Sequence, residues 1–166
     1  MNSTVSFSNQ ARSIFAVFSV ASAGSVPYLT FFSCATVSPN NQTGMNQFIY
    51  YDGQQPSLFA EVGAGASSIL QALPSPSQLG LNATNMVAWV QSSSSTASNA
   101  ITLNGISQTL TTNTVASTYA TSAEYYFIGS AYSQAYTLCE YLMFNIELAT
   151  DQRQQIEGYL AQKWRI

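Results

Sequence analysis

The sequence predicts an all-β domain, an antiparallel sandwich or barrel closed by one C-terminal α-helix. Up to about residue 146 it consists of short apolar runs separated by turns rich in Ser, Thr, Asn and Gly, a pattern typical of antiparallel sheets. The end of the chain differs, because residues 140–166 hold seven of its charged residues and only four precede them. Apolar residues there recur at helical spacing.

The first half of the chain predicts four strands. Residues 12–22 are apolar on both alternations, which indicates a central strand buried on two sides. Residues 28–37 show the same pattern. Residues 46–52 and 57–62 flank a Gly-Gln-Gln-Pro stretch, which predicts two strands joined by a turn.

The next strands follow a similar rhythm. Residues 85–91 predict a strand that runs into a Ser-rich loop. Asn104-Gly105 lies between the alternating residues of 101–110, and Asn-Gly in that setting is the strongest short-range hairpin signal. Residues 125–128 and 136–145 predict two more strands, so that about nine are expected in all.

The tail predicts a helix. Thr150-Asp151 provides an N-cap and an acid in the first turn, where the helix dipole favours it. Arg153 and Glu157 are expected to pair on the exposed face. Gly158 costs about 1 kcal/mol relative to Ala inside a helix, which indicates a close approach of the helix to a sheet. The predicted apolar face consists of Ile156, Tyr159, Leu160 and Trp164.

Composition excludes several classes of function. Four basic residues are too few for a nucleic-acid footprint, and no apolar run is long enough to predict membrane insertion. The chain has no histidine, which removes histidine-based catalysis and metal binding. Two cysteines cannot form a four-cysteine zinc site. We expect no cofactor and no metal, and we expect Cys34 and Cys139 to be free thiols rather than a disulfide.

Four segments in the last third carry a family resemblance. They are NG at 104–105, FIGS at 127–130, CEYLMFN at 139–145 and EGYLAQKW at 157–164. In that order they resemble the concanavalin A-like (laminin-G-like) jelly-roll modules of large DNA virus, phage and bacterial surface proteins, whose closing helix reads roughly EGYLAWKWG. SIFAVF at 13–18 is also similar to the first central strand of that family.

The resemblance implies a single jelly-roll β-sandwich over residues 1–166, with strands over about 5–146 and one C-terminal α-helix over about 150–164. Such modules usually have more sequence before the SIFAVF strand than the dozen residues found here. The chain is therefore also compatible with a piece of a longer polypeptide.

Glu140 occupies the position of the acidic residue in the last strand of the family. Glycoside hydrolysis needs two carboxylates on one surface, and Glu147 has the opposite strand parity. We therefore expect a structural Glu140 that pairs with Lys163, Arg165 or backbone N–H groups, and no enzyme activity. Four helix residues are expected to be structural as well: Ile156, Gly158, Leu160 and Trp164.

The remaining candidate sites are a metal site, aromatic pairs and modification sites. The family often holds calcium, but Asp52 alone would make a weak site. Alternation places one ring of Tyr50-Tyr51 and one of Tyr125-Tyr126 on each sheet face, and an outward ring suits ordinary surface, a protein interface or a sugar. Three glycosylation acceptor sequences begin at Asn2, Asn41 and Asn82.

Two functional hypotheses follow. The first is a structural module of a virion, a minor capsid protein that packs against other coat proteins or against itself, because the chain is nearly uncharged and rich in amides, hydroxyls and Tyr. The alternative is a lectin-like, carbohydrate-binding module at a cell surface, which would bind glycans in a groove lined by outward Tyr rings.

Overall fold

The computed structural model describes residues 11–21, 28–35, 45–51, 55–62, 68–114, 125–127 and 135–166. It confirms the antiparallel β-sandwich with one C-terminal helix. The strands are β1 (Arg12–Ser19), β2 (Tyr28–Ala35), β3 (Met45–Tyr50), β4 (Ser57–Val62), β5 (Ser68–Ala72), β6 (Thr84–Gln91), β7 (Ala100–Leu103), β8 (Ile106–Ser107), β9 (Leu110–Asn113), β10 (Tyr125–Phe127) and β11 (Thr137–Phe144). Helix α1 spans Thr150–Trp164.

The strands form two sheets. The five-stranded sheet has the order β11-β1-β6-β7-β8, and the six-stranded sheet has the order β10-β2-β3-β4-β5-β9. All described strand pairs are antiparallel. The two sheets pack face to face over one hydrophobic core, and α1 covers the outer face of the five-stranded sheet.

Strand β1 is buried on both faces, as its sequence predicted. Ile14, Ala16 and Phe18 face the six-stranded sheet and belong to the core between the sheets. Phe15 and Val17 point the other way and pack in the second core under the helix. The double apolar alternation of β1 therefore follows from its position between two packed layers.

Two tyrosines near β11 tie the sheets together. The hydroxyl of Tyr136 donates a hydrogen bond to the carbonyl oxygen of Thr30 in β2 (2.5 Å), and Tyr141 donates to Oε1 of Gln47 in β3 (3.3 Å). Burial raises the pKa of Tyr136 to about 12 and also raises that of Tyr141. Both phenols therefore stay neutral donors inside the sandwich.

The hairpin at Asn104-Gly105 forms, but its second arm is shorter than predicted. Both turn residues have positive φ (52° and 77°), as a type I′ turn requires. β8 has only two residues, and the chain then crosses to the six-stranded sheet, where β9 pairs with β5. β5 and β9 were not predicted from the sequence.

Helix α1 docks on the five-stranded sheet through Ile156, Leu160 and Trp164, whereas Tyr159 points to solvent. The expectation of an exposed Arg153–Glu157 pair is wrong. Both side chains are buried, 3.7 Å apart, and Thr102 of β7 donates a hydrogen bond to Oε1 of Glu157 (2.5 Å). The pair lies on the sheet side because positions 153, 157, 160 and 164 form one helical stripe.

Both ends of the helix also differ from the sequence-based expectation. The N-cap is Ala149 rather than Thr150, and its N–H donates to Oε1 of Gln152 (3.0 Å). Arg165 takes the left-handed conformation (φ 57°) at the C-terminal end, and the N–H of Ile166 donates to the carbonyl of Ala161. This is the Schellman arrangement, which usually has Gly in the left-handed position.

The expected close approach at Gly158 is absent. A Cβ built on Gly158 would have no atom within 4 Å among the described residues. Gly158 lines a cavity of about 190 Å³ between α1 and the β7–β8 hairpin, together with Gly105, Met86 and Ile166. Packing therefore does not require a glycine here.

We expect Gly158→Ala to stabilise the protein by up to about 1 kcal/mol, because Ala removes the backbone entropy cost of Gly at no steric cost. Urea unfolding measures this free energy. Leu160→Ala is the control on the buried side and should destabilise by about 2–4 kcal/mol. A loss of stability in Gly158→Ala would contradict the open space next to this residue.

Candidate functional site

The outer face of the six-stranded sheet carries a group of aromatic rings. Leu29, Ile49 and Leu58 point into the core between the sheets. Strict alternation therefore places their neighbours on the opposite face. Four of these outward residues are aromatic, and we call them the aromatic strip: Tyr28, Phe48, Tyr50 and Phe59.

The strip is held together by strand register. Tyr28 of β2 lies opposite Tyr50 of β3, with ring centroids 5.3 Å apart in an edge-to-face arrangement. Phe48 lies opposite Phe59 of β4, and these rings stack at 4.8 Å and 16°. Tyr28 also contacts Phe48 edge-on at 5.8 Å. These contacts have the geometries that aromatic pairs prefer, so the strip is preorganised.

Exposure varies along the strip. Tyr28 is 38% exposed, whereas Phe48 is only 8% exposed, and Tyr50 and Phe59 lie between. Phe48 therefore supports the other rings from below. Tyr28, Tyr50 and Phe59 are the rings that a ligand can contact.

Polar side chains border the strip. Gln71 of β5 lies opposite Phe59, and Thr112 of β9 lies opposite Gln71. The hydroxyl of Thr112 donates to Oε1 of Gln71 (3.2 Å). This fixes the amide orientation and leaves Nε2 of Gln71 as a donor with no acceptor among the described residues. The hydroxyls of Tyr28 and Tyr50 likewise have no hydrogen-bond partner in the described part of the chain.

A ring platform with adjacent hydrogen-bonding groups suits two kinds of ligand. One is a sugar, whose C–H face packs on a ring while its hydroxyls bond to Tyr and Gln side chains. The other is an aromatic or amide-rich protein surface. Neither chemistry needs a metal, and the described residues contain no group of three His, Cys, Asp or Glu side chains that could hold one.

Glu140 lies on the other side of the molecule, under the helix. Trp164 donates a hydrogen bond from Nε1 to its Oε2 (2.7 Å), and Nζ of Lys163 is 2.9 Å from the same oxygen. The Trp164 hydrogen bond and then the Lys163 hydrogen bond lower the pKa of Glu140. The hydrogen bond that Lys163 donates to Glu140 also raises the pKa of Lys163. Glu140 therefore fastens the end of α1 to β11.

Two other acids in the described residues, Glu147 and Glu157, bond to partners other than those of Glu140. Hydrogen bonds from Ser92 and Ser98 lower the pKa of Glu147, so this carboxylate ties the Ser-rich loop to the segment before α1. Glu157 is engaged by Thr102 and Arg153. Asp52 and Glu124 lie outside the described residues.

The remaining sequence-predicted residues are distributed as follows. Tyr50 is outward and Tyr51 is in the core, as alternation predicted. Tyr125 and Tyr126 lie in β10, but their side chains are outside the described part, as is that of Cys34. Cys139 is a free, half-buried thiol. Asn82 is exposed in a turn with φ 56°, whereas Asn2 and Asn41 lie outside the described residues.

Sequence reasoning did not find five contributors to this face: Tyr28, Phe48, Phe59, Gln71 and Thr112. Phe48 and Phe59 could have been found. Phe48 has the same parity as Tyr50 in β3, and the register of β3 and β4 places it opposite Phe59. Gln71 and Thr112 lie on the two strands that were not predicted.

Comparisons with known proteins show the fold. No protein-family model matches the chain, and no curated protein matches it. Solved structures do match. The SAP-like pentraxin of Limulus polyphemus has 15% identity and a TM-score of 0.62 over 89% of this chain and 70% of the pentraxin. The sialidase of Trypanosoma rangeli in complex with sialic acid has 14% identity and a TM-score of 0.60 over 93% of this chain.

A third match is a botulinum neurotoxin type C structure, whose cell entry is described as dependent on interaction with two ganglioside molecules. It has 14% identity and a TM-score of 0.57 over 91% of this chain. The chain spans only 23% of the sialidase chain and 36% of the toxin chain. These similarities confirm the concanavalin A-like jelly-roll fold. Within the described ranges, no helical segment combines the length and the hydropathy that a bilayer-spanning helix requires.

We expect part of the folding stability to be lost as the pH falls below about 4.5, the ordinary pKa of Glu. Because the folded-state pKa of Glu140 is lower than this value, its contribution is present above 4.5 and disappears as the pH falls through the folded-state pKa. Urea unfolding at pH 7 and pH 3 measures the loss.

Glu140→Gln should lower stability at pH 7 by about 1 kcal/mol, the size of a partly exposed hydrogen bond to a charged group. The variant should also lose less stability at pH 3 than the wild type does. It retains part of the pH dependence through Glu147. Trp164→Phe, which keeps an aromatic ring but lacks the N–H donor, should behave similarly. Equal pH dependence in wild type and Glu140→Gln would contradict the structural role of this carboxylate.

Proposed function

We propose that the domain is a non-catalytic, lectin-like binding module that binds carbohydrate on its aromatic strip. The observation that carries the proposal is the row of preorganised, partly exposed rings on the outer face of the six-stranded sheet. Gln71 at its border and the hydroxyls of Tyr28 and Tyr50 offer donors that have no acceptor in the part of the chain that the structure describes. On this proposal the domain works outside a cell or on the surface of a particle.

The structural neighbours support a binding role. The toxin is described as interacting with gangliosides, and the sialidase structure contains sialic acid. Their common feature with this chain is the jelly-roll fold, so the argument for a sugar ligand rests on the rings themselves. The positions of Glu140 and Glu157 support the absence of catalysis, since each carboxylate is engaged in holding the helix.

The strip predicts weak binding to a single site. Two ring contacts at about 1 kcal/mol each and two hydrogen bonds at about 1 kcal/mol each give about 4 kcal/mol. This corresponds to a Kd near 1 mM. Assays should therefore use millimolar sugar or a multivalent display.

We expect Tyr28→Ala and Tyr50→Ala each to weaken glycan binding by about fivefold, the loss of about 1 kcal/mol of ring contact. A glycan array displaying multivalent ligands identifies the sugar, and NMR titration at millimolar concentration measures the affinity. The matched control is Tyr159→Ala, since Tyr159 is 57% exposed on the helix and lies on the opposite side of the sandwich. Undiminished binding in both strip variants, or no binding at all, would contradict the proposal.

A second candidate function is packing against neighbouring copies or coat proteins in a virion. Only 7% of the residues are charged, so there is little electrostatic repulsion between copies. Large apolar side chains are also exposed, among them Leu73, Leu81, Ile106 and Ile146. The viral setting itself rests on the family resemblance of the C-terminal segments.

This candidate predicts that the isolated chain self-associates as its concentration rises. Sedimentation velocity over a range of about 10 to 500 μM measures the assembly, which should respond little to salt because apolar contacts carry it. An Ile106→Lys, Ile146→Lys double variant should reduce it. A single monomeric species at all concentrations would count against the packing role and leave the carbohydrate proposal as the better one.

A further inference from the structure

None of the basic residues lies on the outer face of the six-stranded sheet. The chain has four of them, and all lie in the described residues. Arg12 of β1 is buried between the sheets and Arg153 is buried under the helix. Lys163 and Arg165 lie at the exposed end of α1. The six strands that carry the aromatic strip contain one charged residue, the acidic Glu61.

This distribution leaves the strip without a cationic partner for a ligand. Lys163 and Arg165 are separated from the strip by the thickness of two sheets and a helix. This is about 20 Å, from about 10 Å between packed sheets and a further 8–10 Å to the helix. The distance exceeds the Debye length of about 8 Å at physiological salt. A carboxylate on the strip would therefore lose water without gaining an ion pair.

We propose that the ligand of the aromatic strip is a neutral glycan, and that the strip discriminates against sialylated and sulfated sugars. This inference rests on the proposed function. The sugar presents an apolar C–H face to the exposed rings of Tyr28, Tyr50 and Phe59. Its hydroxyls accept from Nε2 of Gln71 and exchange hydrogen bonds with the two Tyr hydroxyls. The strip thus differs in ligand charge from the sialic acid and ganglioside that accompany two of its structural neighbours.

The test uses matched neutral and acidic ligands. Lactose and 3′-sialyllactose, on the same multivalent carrier, are titrated onto the full chain at low and at physiological salt. We expect the neutral ligand to bind two- to fivefold more tightly at low salt, because the carboxylate is desolvated and the chain has a net charge of -3. Neutral binding should not change with salt, because no ion pair forms.

A cation introduced at the border should reverse the preference. Thr112→Arg places a guanidinium beside Gln71, and we expect it to raise the ratio of sialylated to neutral affinity by about fivefold or more at low salt. Tyr159→Arg, with the same added charge on the helix side, is the control and should leave the ratio unchanged.

The outcomes separate the two proposals. Equal or tighter binding of the sialylated sugar by the wild type, weakened by Tyr28→Ala, overturns the charge preference and leaves carbohydrate binding intact. Binding of neither sugar, nor of any other neutral or acidic glycan on the array, overturns the proposed function and this inference with it. A preference for the neutral sugar, with binding that is weakened in Tyr28→Ala and a preference that is reversed in Thr112→Arg, supports both.

Discussion

The burial of β1 on both faces is the constraint on which the rest of the structure depends. A strand with Ile14 and Phe18 on one face and Phe15 and Val17 on the other must lie between two packed layers. The six-stranded sheet provides one layer and α1 provides the other. Because the helix packs on the five-stranded sheet, it does not cover the outer face of the six-stranded sheet, where the aromatic strip lies. The position of the candidate site is thus a consequence of how the first strand is covered.

In this chain of low charge, side-chain amides form hydrogen bonds that hold turns and loops in place. Asn85 is buried and bonds both ways to the backbone of Gly80. Asn104 accepts from the N–H of Met86 and donates to the carbonyl of Gln78. Asn99 accepts from Ser92 and donates to Asn113. Such bonds satisfy backbone groups in turns that would otherwise need water. Part of the polar composition therefore fixes loops, and it is not all available for contacts with partners.

Most of the fold could be predicted from the sequence, and the errors have physical reasons. β1, the Asn104-Gly105 turn and α1 depend on local patterns. β9 was missed because Leu110–Asn113 has little apolar character and pairs with residues about 40 positions away. β5 was missed because its run of 5 residues is short. Arg153 and Glu157 were assigned to solvent because charged residues usually are, yet their mutual pairing and Thr102 permit burial. The outward Tyr50 followed from alternation, but Tyr28 reached the strip only through the β2–β3 register, which a bulge shifts.

The two candidate functions are physically compatible. A single strip that binds sugar near millimolar strength is too weak to hold a particle on a surface. Many copies in a fixed array convert later binding events into intramolecular ones and raise avidity by orders of magnitude without any new contact. A domain with few charges can assemble in such an array through apolar patches such as that of Ile106 while the rings remain outward. In such a domain, packing against neighbours and weak sugar binding would use different parts of the surface. The helix covers only the five-stranded sheet, so the aromatic strip on the six-stranded sheet stays available for the sugar.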